Sequence, residues 1–123
     1  KKLIGYLAVK LNITDYIEQE KKVAFLATHD QLTSLKNRRA MEYEIKQTIE
    51  YAKQNGTKIA LLFLDLDDFK IINDTLGHDT GDLFLKYIGD RLVHNIDKED
   101  KIYRFGGDEF VITITKNITK DNI

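Results

Sequence analysis

The chain has 123 residues, 42% of them apolar, which suffices for one compact domain plus a short attachment. Its 19 Lys and Arg nearly cancel its 20 Asp and Glu, so no basic field exists to hold a nucleic acid or an anionic membrane by charge. Cysteine is absent, which removes disulfides and thiolate metal sites and agrees with a reducing, cytoplasmic setting.

In chain order, Leu3 to Leu11 alternates loosely around Ile4, Tyr6, Val9 and Leu11, a pattern that predicts an edge strand. Its apolar run is too short for a signal peptide or membrane span, so no membrane contact is expected from this segment. From Thr14 or Asp15, either a suitable N-cap, to about Ala27 the mixed charges and missing Gly and Pro predict a helix, in which Tyr16, Val23 and Leu26 can line a short seam. A turn over His29 to Asn37 precedes a second helix, whose Met41, Ile45, Ile49 and Ala52 recur at helical spacing until Asn55-Gly56. Lys58 to Leu64 is almost continuously apolar, as in a strand buried on both faces, and runs straight into Asp65. After Gly81-Asp82 a third helix presents Leu85, Ile88, Leu92 and Ile96 as one stripe. Ile102 to Phe105 and Phe110 to Thr115 then form a hairpin with Gly106-Gly107-Asp108-Glu109 at its tip. Helix, strand, helix, hairpin implies an α+β fold, an α/β sandwich with helices packed on a sheet.

Two acidic groups need explaining: Asp65-Leu66-Asp67-Asp68 at a strand exit and Asp108-Glu109 at a hairpin tip. Each alone is ordinary turn chemistry. If the hairpin pairs beside the Ile59 to Asp65 strand, however, the carboxylates converge at one sheet edge, and a divalent cation relieves their repulsion. Two such ions ~3.5–4 Å apart can activate an attacking oxygen and shield a leaving pyrophosphate. Glycine at the tip lets a triphosphate approach the backbone. An EF-hand is excluded, because counting from Asp65 puts Phe69 at a ligand position, Lys70 where Gly is needed and Leu76 in place of the closing Glu. No Walker-type phosphate loop occurs.

Arg104-Phe105-Gly106-Gly107-Asp108-Glu109-Phe110 resembles the signature of GGDEF-domain diguanylate cyclases. Three more segments match in order: Asp30-Gln31-Leu32-Thr33 with Leu35, Asn37, Arg38 and Arg39; Asp65 to Lys70 with Ile72-Asn73-Asp74; and Gly77-His78-Asp79 with Gly81-Asp82. The resemblance implies a palm, ferredoxin-like βαββ portion of a nucleotide-cyclase fold. It also implies that Asp65, the Leu66 carbonyl and Asp108 hold Mg²⁺ (or Mn²⁺), with Glu109 beside them for metal or catalysis. Asn73 and Asp82 would read guanine, and backbone groups around Phe69 and Lys70, with Gly106 and Gly107, would cradle GTP phosphates. The implied reaction joins two GTP into cyclic di-GMP across a homodimer. Residues 1–11, with Asn12-Ile13-Thr14-Asp15, resemble the last strand and exit of a PAS sensor, which makes 12–28 a signalling linker and 29–123 the GGDEF domain.

Departures are local. Ser34 stands where the family has Gly, and Asp97 stands where many cyclases place the Arg of an R-x-x-D inhibitory site that ends here at Asp100. An acid there repels a phosphodiester product, so no feedback through this loop is expected. The family's further helix, strand and final helix lie past Ile123, and a piece without them is expected to be poorly stable and inactive alone. His29 and His94 are expected at helix ends or the surface, and His78 in a structural hydrogen bond. A GGDEF domain that binds GTP or a partner without turnover, and a palm enzyme using another nucleotide, are the rival readings.

Overall fold

The computed structural model describes residues 2–116, and whatever of the domain follows lies outside them. The elements are α1 (Lys2–Thr28), β1 (Lys36–Asn37), α2 (Arg38–Asn55), β2 (Ala60–Asp65), α3 (Phe69–Leu76), α4 (His78–Asn95), β3 (Lys101–Gly106) and β4 (Glu109–Ile114). The strands form one sheet in the order β1-β3-β4-β2, with β1 parallel to β3 and the other pairs antiparallel.

Period-2 alternation along the central hairpin divides the core. Ile102, Phe110 and Ile112 face one side, where they meet Phe69 of α3, Leu85 of α4 and Leu35. Tyr103 and Val111 face the other, where they meet Met41 of α2. The result is an α/β sandwich with α2 on one face and α3 with α4 on the other, as the element order implies. Phe110 and Val111 are fully buried, and burial of such side chains is worth roughly 1.5–3 kcal/mol each. The predicted stripes are in place: Met41 and Ala52 are buried on α2, while Ile88, Leu92 and Ile96 pack with Leu85 against the first core. Gly56, left-handed at φ 64°, closes α2.

Four expectations are corrected. Leu3 to Leu11 is no strand, because α1 runs unbroken from Lys2 to Thr28. With no neighbouring strand to bond, the segment satisfies its backbone internally as helix, and a PAS-like end at residues 1–11 has no strand to rest on. β2 is an edge strand among the described residues, and only one of its faces is covered there: Leu62 and Leu64 reach the core while Leu61 and Phe63, on the opposite face, are exposed. Its apolar run hides an ordinary alternation. Between β2 and the expected third helix lies an additional short helix, α3, which carries Asn73. Finally, α4 starts at His78 and not after Gly81-Asp82, so both residues sit inside it.

A half-buried carboxylate ties α2 to the sheet. Glu44 accepts from the Lys36 ammonium and from the Tyr103 hydroxyl (2.5 Å), with Lys101 Nζ 3.8 Å away. Burial pushes the Glu44 pKa up, but the Lys36 and Tyr103 hydrogen bonds and the two ammonium charges outweigh it and leave the group below the usual glutamate range. Burial, followed by the Glu44 contact, pushes the Tyr103 phenol far up. Ser34 marks a second local tension, with φ at 60° in the left-handed region that glycine occupies without cost.

Two outcomes follow. Because the folded pKa of Glu44 lies below its unfolded value of ~4.3, its contribution is complete above that pH and is lost as pH falls through the folded value. Glu44→Gln is therefore expected to flatten the acid limb of a stability-versus-pH curve and to cost about 1 kcal/mol at neutral pH. Ser34→Gly is expected to raise the unfolding free energy by about 0.5–1 kcal/mol, read as a higher urea midpoint at an unchanged m-value, the relief at φ 60° exceeding glycine's extra unfolded-state entropy.

Candidate active site

The register of β2 against β4 builds the site. Asp65, last residue of β2, pairs with Glu109, first residue of β4, so both side chains leave the same end of the sheet. Asp108 lies in the two-residue tip between β3 and β4, and its carbonyl accepts from the Leu66 N–H at 3.2 Å, pinning the tip to the β2 exit. Repulsion from the Asp108 carboxylate, with smaller help from Asp67, holds the Asp65 carboxyl above the usual aspartate range. The structure thus brings Asp65, Leu66, Asp108 and Glu109 together.

This donor set fits a hard divalent cation. Two crowded carboxylates with backbone oxygen nearby suit Mg²⁺, which takes one or two carboxylates and leaves positions for water and phosphate. Among the described residues no three or more His, Cys, Asp or Glu side chains are grouped to hold a metal ion, so the side-chain donors are the Asp65–Asp108 pair. The site is an open ledge, and a crevice of about 560 Å³ lies elsewhere, between the end of α1 and α2.

Past the ledge the chain turns through Asp68, left-handed at φ 59°, into α3. Aspartate tolerates that conformation better than most residues, and the turn directs the first N–H groups of α3, including those of Phe69 and Lys70, outward from the helix start. The Phe69 side chain is core, stacked near Phe84, so only its backbone is available to a ligand, whereas Lys70 is exposed. Asn73 follows one helical turn later, roughly 6 Å along the axis. It packs on Gly81 of α4, where a Cβ would lie 1.8 Å from Asn73 Oδ1 and 3.0 Å from its Cγ. Gly81 therefore fixes where the Asn73 amide can sit, and exposed Asp82 is its chain neighbour. Of the tip glycines, Gly107 faces open space and neither has a left-handed φ, so the protein's own packing does not demand glycine at 107.

Sequence reasoning missed a clamp beneath the tip. Arg104 donates from Nη1 to both Asp30 oxygens at 3.0 Å, and from Nη2 and Nε to the Gly107 carbonyl at 2.8 and 3.3 Å. Burial raises the Asp30 pKa, but bonds from the Thr33 N–H and hydroxyl and the Arg104 charge outweigh it and leave the carboxyl low. Arg104 and Asp30 stood in two separate motifs, and only opposite charge hinted at their pairing. His29 and His94 lie as expected at helix ends, His29 stacking on Phe25 and His94 Nδ1 bonding the Asp90 carbonyl, whereas His78 opens α4 exposed and without the expected side-chain hydrogen bond among the described residues.

Residues 27–123 match the family described as diguanylate cyclase, GGDEF domain. The chain is 41% identical over 101 residues to the bifunctional diguanylate cyclase/cyclic di-GMP phosphodiesterase MucR of Pseudomonas aeruginosa, covering 82% of this chain and 15% of that protein. It is 42% identical over 87 residues to diguanylate cyclase DosC of Escherichia coli K12, covering 71% of this chain and 19% of that protein. Its fold matches the coiled coil and GGDEF domain of DgcB from Caulobacter crescentus, solved in complex with c-di-GMP, with a TM-score of 0.79 and 31% identity over 99% of this chain and 64% of that one. The chain spans less than a fifth of those two relatives' lengths. With its four motifs in family order and the acids of two of them gathered at one sheet end, the chain belongs to the GGDEF-domain diguanylate cyclase family.

Proposed function

We propose that the protein containing this chain condenses two GTP molecules into cyclic di-GMP with release of pyrophosphate. The observation that carries the reading is the juxtaposition of Asp65 with Asp108 and Glu109. Asp65, Asp108 and the Leu66 carbonyl would hold Mg²⁺ or Mn²⁺, with Glu109 beside them. Such an ion activates the attacking hydroxyl and offsets charge on the leaving pyrophosphate. The chain's own groups do the rest: backbone N–H groups at Phe69 and Lys70, at the start of α3, receive phosphate oxygens, and the bare backbone at Gly106 and Gly107 admits them. Guanine offers adjacent N1–H and N2–H₂ donors that the Asp82 carboxylate can accept together, while the Asn73 amide bonds the same base. Adenine lacks that pair of donors.

Each 3′-oxygen must attack the α-phosphate of a second GTP, so two such domains must face each other as a homodimer. The unbroken α1 supports this arrangement. Tyr6, Val9, Ile13, Tyr16, Val23 and Ala27 follow alternating three- and four-residue steps, interrupted only by Glu20, and α1 buries none of its residues within one chain. No helix among the described residues is long and apolar enough to cross a membrane.

Full-length protein incubated with GTP and Mg²⁺ is expected to release cyclic di-GMP and pyrophosphate, and Asp108→Asn to slow it at least 100-fold. GTP binding without product would assign a regulatory role, and equal use of ATP would remove the guanine assignment. Gly81→Ala is expected to leave the fold intact, because the crowded atom ends a side chain that can swing aside, yet to raise KM for GTP about tenfold as Asn73 moves. Steady-state kinetics beside a circular dichroism melt check this.

A further inference from the structure

We propose that Asn37 is a positioning residue that sets the angle of α1 on the domain. The consequence for catalysis rests on the cyclase reading above, but the joint itself does not. Because α1 buries no residue, apolar packing within the chain cannot fix its direction. Contacts at its C-terminal end carry the joint, and beside the isolated bridge between His29 and Lys36 they include a side-chain link to α2.

The last carbonyls of a helix have no donor within it, and those of Leu26 and Ala27 are bonded by one distant side chain. Asn37 Nδ2 donates to the Leu26 carbonyl at 3.4 Å and to the Ala27 carbonyl at 3.3 Å. Its Oδ1 accepts from the Ala40 N–H at 3.0 Å, capping α2. The opposite amide orientation is excluded, since it would set an NH₂ against the Ala40 N–H and an oxygen against two carbonyls. One planar group therefore joins the end of α1 to the start of α2.

The choice of residue supports the role. Asp, Ser and Thr cap a helix as well as Asn does, so capping alone does not select asparagine. Aspartate has no hydrogen to offer the α1 carbonyls, and serine is too short to serve both helices. Only the amide carries acceptor and donor at opposite corners. The backbone of Asn37 adds a third attachment, because β1 pairs it with Arg104, the residue that grips Asp30 and the Gly107 carbonyl. Linker helix, α2 and hairpin tip thus meet at one residue. The two bonds to α1 are long, so the joint holds a direction yet can yield to a pull on the linker.

The test uses full-length protein with nitroxide labels at Glu18→Cys on α1 and Glu50→Cys on α2, diluted with unlabelled protein so that one protomer per dimer reports. This chain has no cysteine to compete for the label. The parent sequence is expected to give one narrow distance distribution. Asn37→Asp and Asn37→Ser, which keep the cap and lose the donor, are expected to widen it at least twofold, with helix content and GTP affinity unchanged and kcat altered at constant KM. A distribution as narrow as the parent's in either folded variant overturns the assignment. Without any substitution at 37, the Asn37 side-chain amide protons are expected to exchange at least tenfold more slowly than those of exposed Asn12, and equal rates overturn it too.

Discussion

The antiparallel pairing of β2 with β4 is the constraint on which the site depends. Six residue pairs, from Ala60 with Ile114 to Asp65 with Glu109, fix the register. Side chains alternate faces along a strand, so a slip of one residue would turn Asp65 toward the face where Leu62 and Leu64 now meet the core. Leu62 and Leu64 resist that slip because it would carry them off the core they share with Phe110 and Ile112. Core packing thus aims the carboxylates, and the mutual repulsion of Asp65 and Asp108 is held in place by hydrophobic burial elsewhere in the same strands.

That arrangement explains the polar scaffolding around the tip. A two-residue turn carrying an acid toward another acid would open unless something held it. Two contacts do so from opposite sides: the Leu66 N–H bonds the Asp108 carbonyl, and Arg104 holds the Gly107 carbonyl while neutralising Asp30. Arg104 and Asp30 are both largely shielded, so this ion pair is screened less than the exposed Arg38–Glu42 pair on α2. The tip is thus held through the carbonyls of both its residues, Gly107 and Asp108.

Much of this was legible in the sequence because it lies in periodicity and punctuation. The helical spacing from Met41 to Ala52, the Asn55-Gly56 stop and the hairpin around Gly106-Gly107 each encode a local rule, and the structure obeys all three. The failures share a physical cause. Leu3 to Leu11 carries residues that suit either regular structure, and only the absence of a strand beside it decides for helix. The run from Ile59 to Leu64 reads as doubly buried because nothing local says which neighbours cover each face. Asn73 and Asp82 were recognised by motif, but the dependence of one on Gly81 is a close approach between two helices that spacing does not reveal.

The same logic separates two kinds of glycine. Gly81 is needed by this chain itself to keep the Asn73 amide in place, since a larger residue would push that amide aside. Gly107 is not: a Cβ there meets open space, its backbone is not left-handed, and the Arg104 bonds reach only its carbonyl, which every residue possesses. A residue held bare without an internal reason is best explained by something outside the chain that comes close to it. Beside a pair of carboxylates crowded enough to raise the pKa of one, the arriving group must tolerate that charge, and a metal-bound triphosphate does so where a bare anion does not. On the proposed cyclase reading, the glycine and the acids would face opposite surfaces of one ligand, its backbone-facing oxygens and its cation.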